Sequence, residues 1–333
     1  MRGVTARVYT HGRCLALGAP ATAAVWIGDD ALFALGDGAV LAAARDGETR
    51  RIAAHDGAIL SVALHPDGGC LVTGGDDGRI NTVSPAGEIQ TLAEMHKWVD
   101  HLAASAVSGV VVAGAGKEAI VFREGREAHR FAYPSTVGGL ALDAKGRRLA
   151  ASHYGGATVR YALMADDKGV ELKWAGSHLA IALAPDADYV ITAMQENALH
   201  GWRLPEKTDL SMSGYPAKTR SFSWDKRGRW LATSGANAAI VWPFVGKLGP
   251  QGKAPLQPGE REAPVTAVAF HPTEEVLAIG YSDGAAILVR FADQTGMELD
   301  EPGEGAVTAL AWSADGKRIA IGDEAGRGAI IDL

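Results

Sequence analysis

Ten histidines and two cysteines are the most versatile chemical groups in this chain, and their spacing decides what they could do together. His96 and His101 form the one close histidine pair, but five residues separate them, where two metal ligands on one helix face sit four apart. Cys14 and Cys70 lie 56 residues apart, which fits neither a zinc-binding cysteine pair nor a disulfide framework. The chain has no G-x-S-x-G elbow, no His-Glu-x-x-His and no dinucleotide fingerprint. Gly252-Lys253 invites comparison with a phosphate-binding loop. That motif needs a glycine where Lys247 stands, Ser or Thr where Ala254 stands, and a helix to follow, and the sequence offers none of these. His153 and His178 are the weak metal candidates, provided folding brings them from neighbouring elements to one mouth. No cofactor is indicated, and catalytic residues are read as none.

The elements that must position these side chains repeat about every 41 residues. Eight segments superpose: TAAVWI, LSVALH, DHLAAS, GGLALD, AIALAP, RSFSWD, TAVAFH and TALAWS, centred on Val25, Val62, Leu102, Leu140, Ile181, Phe222, Val268 and Leu310. A polar turn follows each first strand. The clearest is His65-Pro66-Asp67-Gly68, where Pro presets φ and Gly accepts the left-handed conformation. A second apolar strand comes next, then a hairpin turn such as Asp76-Asp77-Gly78, then a third strand. Units of this length with four short strands are the signature of propeller blades.

Residues 55–84, HDGAILSVALHPDGGCLVTGGDDGRINTVS, resemble a repeat of the WD-repeat family almost from end to end. The resemblance implies a hydrogen-bonded tetrad in which His55, Thr73 and Asp76 take three positions, while Val83 stands where a Trp is usual. Trp202 and Trp242 keep that Trp position in later units. It also implies a single closed, all-β propeller of four-stranded antiparallel blades, with no chemistry of its own. The repeat count predicts eight blades, with seven as the alternative. One domain over 1–333 is expected, its ring closed by an N-terminal strand from residues 1–18, where Ala6–Thr10 and Arg13–Leu17 read as strands. Residues 245–255, rich in Gly and Pro, read as a flexible loop insertion.

A charge of −7, from 39 acidic and 32 basic residues, with arginines thinly spread over turns, argues against nucleic acid as a partner. No apolar run reaches membrane-spanning length and the start lacks a secretory pattern, so a cytoplasmic protein without membrane contact is expected. What remains is a protein partner, held by a monomeric propeller within a hetero-complex. The loops entering the first strands of units three to six carry Trp98, Tyr133, Trp174 and Tyr215, and a second-to-third-strand turn on the same face adds Tyr154. Large aromatics of this kind dominate interface energetics. The competing reading is a propeller enzyme or metal-handling protein with its site at the channel mouth.

Overall fold

The computed structural model describes residues 12–204, 206–246, 248–291 and 295–333. Every regular element among them is a β-strand. The chain forms two compact units: Ile27–Gly214, and Tyr215–Leu333 together with the chain start up to Trp26. In chain order, β1 (Gly12–Ala16) belongs to the latter unit, and β2 (Ala21–Ile27) carries the chain out of it.

In the Ile27–Gly214 unit the strands pair as antiparallel meanders. The first runs through β3 (Asp30–Leu35), β4 (Ala39–Ala43) and β5 (Thr49–Ala53). The next holds β6 (Ile59–Leu64), β7 (Leu71–Gly75), β8 (Arg79–Val83) and β9 (Ile89–Glu94). It is followed by β10 (His101–Ser105), β11 (Val110–Ala115), β12 (Glu118–Arg123) and β13 (Arg126–Ala132). A six-stranded sheet completes the unit: β14 (Gly139–Leu142), β15 (Arg148–Tyr161), β16 (Val170–Leu183), β17 (Tyr189–Met194), β18 (Leu199–Arg203) and β19 (Thr208–Met212).

The other unit contains β20 (Phe222–Trp224), β21 (Trp230–Thr233) and β22 (Ile240–Pro243) as a three-stranded sheet. Then come β23 (Val265–Phe270), β24 (Val276–Tyr281), β25 (Ala286–Arg290) and β26 (Gly296–Asp300). The last sheet has the order β1, β29 (Arg327–Asp332), β28 (Arg318–Asp323), β27 (Val307–Trp312). Gly12 stands opposite Ile331 and Leu15 opposite Gly328, so a strand from the chain start covers the edge of the last strand. The expected strand at Ala6–Thr10 lies outside the described residues.

The described residues form seven sheets, because the fourth and fifth sequence repeats share one. β15 folds back on itself, since the Ala162 N–H reaches the Arg147 carbonyl (2.8 Å) across a bend at Tyr154-Gly155. The first half of β16 pairs with β15 and the second half, from His178, pairs with β17. Residues 248–253 close a series of turns through backbone bonds from Gly249, Gln251 and Lys253. Leu256 then bridges Val241 beside the three-stranded sheet.

Burial follows strand position within each meander. Second strands such as β7, β11, β24 and β28 are buried or nearly so throughout, whereas β10 and β20 are half-buried and β5 and β9 are largely exposed. Runs that are apolar on nearly every residue therefore fall on the middle strands, which are covered on both faces. One such core joins successive meanders: Val110, Val112, Val121 and Phe131 pack with Leu149 and Ala151. Gly78 shows how tightly turns seat. Its φ is 82°, and a Cβ there would lie 2.1 Å from the Met95 carbonyl oxygen.

Candidate functional site

Polar side chains inside the meanders decide which candidates are free to act. In the second repeat the His55 Nδ1–H donates to Asp77 Oδ1 (2.9 Å), leaving Nε2 to accept from the Thr73 hydroxyl (2.8 Å). The carboxylate is that of Asp77, one residue beyond the expected Asp76. Asp77 also accepts from the Asp56 and Arg79 backbone N–H groups (3.1 and 2.9 Å), which fixes its orientation. Burial pushes its pKa up, but these bonds and His55 outweigh that and hold it below the usual carboxylate range. The Asp76 carboxylate instead lies against Gly57. On the third strand Val83, at the usual Trp position, is fully buried, and Asn81, also buried, donates to the Ala54 carbonyl (2.7 Å).

The same architecture returns with other side chains. In the sixth repeat the Trp242 Nε1–H donates to the Tyr215 hydroxyl (2.8 Å). Tyr215 donates to Thr233 Oγ1 (2.8 Å), which donates to the Ile240 carbonyl (3.0 Å). Tyr215 thus does the work of His55 and is buried. It cannot offer its ring to a partner, contrary to expectation, and burial pushes its hydroxyl up to about 12. In the fifth repeat His178 accepts from the Thr192 hydroxyl at Nδ1 (2.7 Å) and donates from Nε2 to the Trp174 carbonyl (3.1 Å). Burial lowers its pKa, which keeps it neutral. His153 donates from Nδ1 to the Tyr154 carbonyl (3.0 Å) and accepts from Thr158 at Nε2 (2.9 Å). Both nitrogens of each ring are occupied, so these two weak metal candidates present no lone pair to a metal.

Four candidates converge elsewhere. Tyr133, His153, Tyr154 and Trp174 line one cavity of about 770 Å³ in the Ile27–Gly214 unit, with Pro134, Arg160 and Leu172. Its position follows from the bend of β15, which projects Tyr154, and from the Trp174 stretch of β16, which runs alongside. Tyr154 is 68% exposed and Trp174 41%. Trp174 stacks one face on His200, with ring centroids 3.9 Å apart and planes 16° from parallel, and His200 meets Trp202 edge-on at 4.7 Å. Burial pushes the His200 imidazole down to about 4, so Trp174 rests on a neutral ring.

Tyr133 is buried at the cavity wall rather than displayed, another departure from expectation. Its ring packs into the core between meanders, where burial pushes the hydroxyl up to about 12 against the opposing charge of Arg160. The Arg160 guanidinium lies 4.9 Å from the Phe131 ring centroid and 5.6 Å from that of Tyr133. Trp98 is 65% exposed but does not line the cavity. Arg160 and His200 were not legible as site residues in the sequence; only a polar residue set among apolar strand positions hints at each.

Residues 46–81 match the family model described as WD domain, G-beta repeat, the same stretch that holds the His55–Thr73–Asp77 network. Among curated proteins, the Intraflagellar transport protein 80 homologs of Rattus norvegicus and Mus musculus are each 25% identical over 144 residues. That stretch is 42% of this chain and 17% of the length of those relatives. Among solved structures, the crystal structure of the computationally designed Ika8 protein has the same fold. It aligns with a TM-score of 0.76 and 17% identity over 95% of this chain and 96% of its own. No helix among the described residues is long and apolar enough to cross a membrane. The matched repeat and the curated relatives support a WD-repeat family for the chain, and the meander architecture and the structural match show a β-propeller fold.

Proposed function

We propose that this propeller is a non-catalytic platform that holds a partner protein at the cavity flanked by Tyr154 and Trp174. One observation carries the reading: two exposed aromatic side chains, one braced by a buried neutral histidine, flank a concave, mostly apolar site. Rigid aromatic anchors beside a pocket are what concentrates binding energy at interfaces. Trp98 is an outlying contact on this reading, while Tyr133 and Tyr215 hold the scaffold. The protein works as a single-domain monomer within a cytoplasmic hetero-complex. The transport role in the relatives' names is not carried over, since the likeness spans 17% of their length.

We also read the scaffold as eight four-stranded blades. The folded-back β15 and the two-part β16 supply the strands of two blades within the six-stranded sheet, and Leu256 marks the fourth strand of the three-stranded one.

The test is affinity capture from host lysate with wild type and with Tyr154→Ala/Trp174→Ala, after equal melting temperatures are established. A stoichiometric partner held by wild type and lost by the variant is expected. A partner retained by the variant moves the site elsewhere, and the absence of any partner removes the platform reading.

A further inference from the structure

Among the described residues, one group of three or more His, Cys, Asp or Glu side chains brings its ligand atoms within 4.8 Å of one another: His65, Asp67 and Cys70. They occupy the turn between β6 and β7, and none of them lines the aromatic cavity. The backbone sets their geometry. The His65 N–H donates to the Cys70 carbonyl (2.9 Å), placing these residues across from each other at the base of the turn. Gly68, with φ 75°, completes the turn by donating to the His65 carbonyl (2.8 Å). Asp67 Oδ1 accepts from the Gly69 N–H (2.8 Å) and lies 2.8 Å from His65 Nδ1, so its carboxylate points back over the turn.

The donor set is one imidazole nitrogen, one carboxylate oxygen and one sulfur. A bound cation gives the facing carboxylate and sulfur a common counter-charge, which favours the thiolate form of the sulfur.

We propose that this turn binds one divalent transition-metal cation, with zinc the best fit. Coordination replaces the Cys70 S–H bond with a metal–sulfur bond and releases that proton to solvent. The neutral imidazole and the Asp67 carboxylate are the second and third ligands, and water takes the fourth tetrahedral position. Tetrahedral bonds of about 2.0–2.3 Å set the ligand atoms about 3.5 Å apart, so the His65–Asp67 pair opens from 2.8 Å by side-chain rotation when the ion enters. Asp67 is 62% exposed along its side chain, so the ion has a route in from solvent. Mg²⁺ and Ca²⁺ prefer six or more oxygens and do not suit a sulfur–nitrogen set.

The test uses the full chain, reduced, in a Cys14→Ser background that removes the other thiol, titrated with Co²⁺ as the spectroscopic probe. Expected are one equivalent bound, a near-ultraviolet sulfur-to-cobalt band, visible bands of tetrahedral intensity, and displacement by Zn²⁺ but not by Mg²⁺. Cys70→Ser, close to isosteric, should abolish the near-ultraviolet band. His65→Gln should weaken binding at least about tenfold, the low end of what loss of even an outer-sphere partner costs. A missing band at millimolar Co²⁺, or a band that survives Cys70→Ser, overturns the site. Neither result bears on the partner cavity.

Discussion

The hydroxyl of Tyr215 links two groups: it accepts from the Trp242 indole N–H and donates to the Thr233 oxygen. Tyr215→Phe keeps the ring packed but leaves the half-buried Trp242 indole donor and the buried Thr233 oxygen without this partner, so a loss of about 1–3 kcal/mol is expected in denaturant unfolding. An unchanged midpoint would mean that water replaces the hydroxyl. His200 predicts a pH dependence. Its folded pKa, about 4, lies below the unfolded value, mainly through burial and partly through His178, with Asp209 opposing. The unfolded chain therefore binds the extra proton between about pH 6.5 and 4, so stability present at neutral pH is lost on acidification across that window. The expected loss from this group is on the order of 2 kcal/mol. His200→Phe should flatten the melting-temperature profile from pH 7 to 4.5 relative to wild type, and parallel profiles would contradict the assignment. At this scale sequence reading reached His55 and Thr73 but missed by one residue at Asp76. Two adjacent aspartates satisfy the same pattern, and only the orienting N–H groups of Asp56 and Arg79 select Asp77. The burial of Tyr215 is not legible locally, because Thr233 and Trp242, which hold its hydroxyl, are distant in sequence.

Strand β1 has a different task, covering the outer edge of β29 through five paired positions from Gly12 to Ala16. Leu15 is buried there and Leu17, just beyond, is fully buried and packs against Gly328. Deleting residues 1–16 removes the Leu15 burial, worth about 2 kcal/mol, and exposes unpaired backbone groups along β29. The truncated protein should unfold at lower denaturant and self-associate in sedimentation, and one that stays monomeric with an unchanged midpoint would show that the edge needs no cover. Elements were the most legible level, because turn residues such as Asp67-Gly68 and Asp77-Gly78 punctuate the chain locally. The joining of two repeats in one sheet was not legible. It depends on Val170–Leu183 continuing as one strand through Trp174–Ser177, where neither Gly176 nor a proline breaks the run.

At the scale of the whole molecule the pairing of β1 with β29 brings the start and end of the described chain together, Gly12 facing Ile331. A chain whose ends meet can be cut elsewhere without loss of topology. Residues 1–11 are ample to connect Leu333 back to Gly12, since a hairpin needs only about 2–5 residues. The place to open the chain is between Gly252 and Lys253, both exposed, in the turns after β22, where the cut sacrifices little more than the Lys253-to-Pro250 backbone bond. This permutant should fold with a melting temperature within a few degrees of wild type, because every strand keeps its partners and the β1–β29 hairpin becomes local in sequence. A second permutant opened inside β24, fully paired to β23 and β25 and buried along most of its length, should fail to fold. Equal stability of the two would mean that the strand register does not govern the fold. Failure of the first alone would mean that the turns between Gly246 and Pro255 pin β22 in place, and are more than a connection between Pro243 and Leu256.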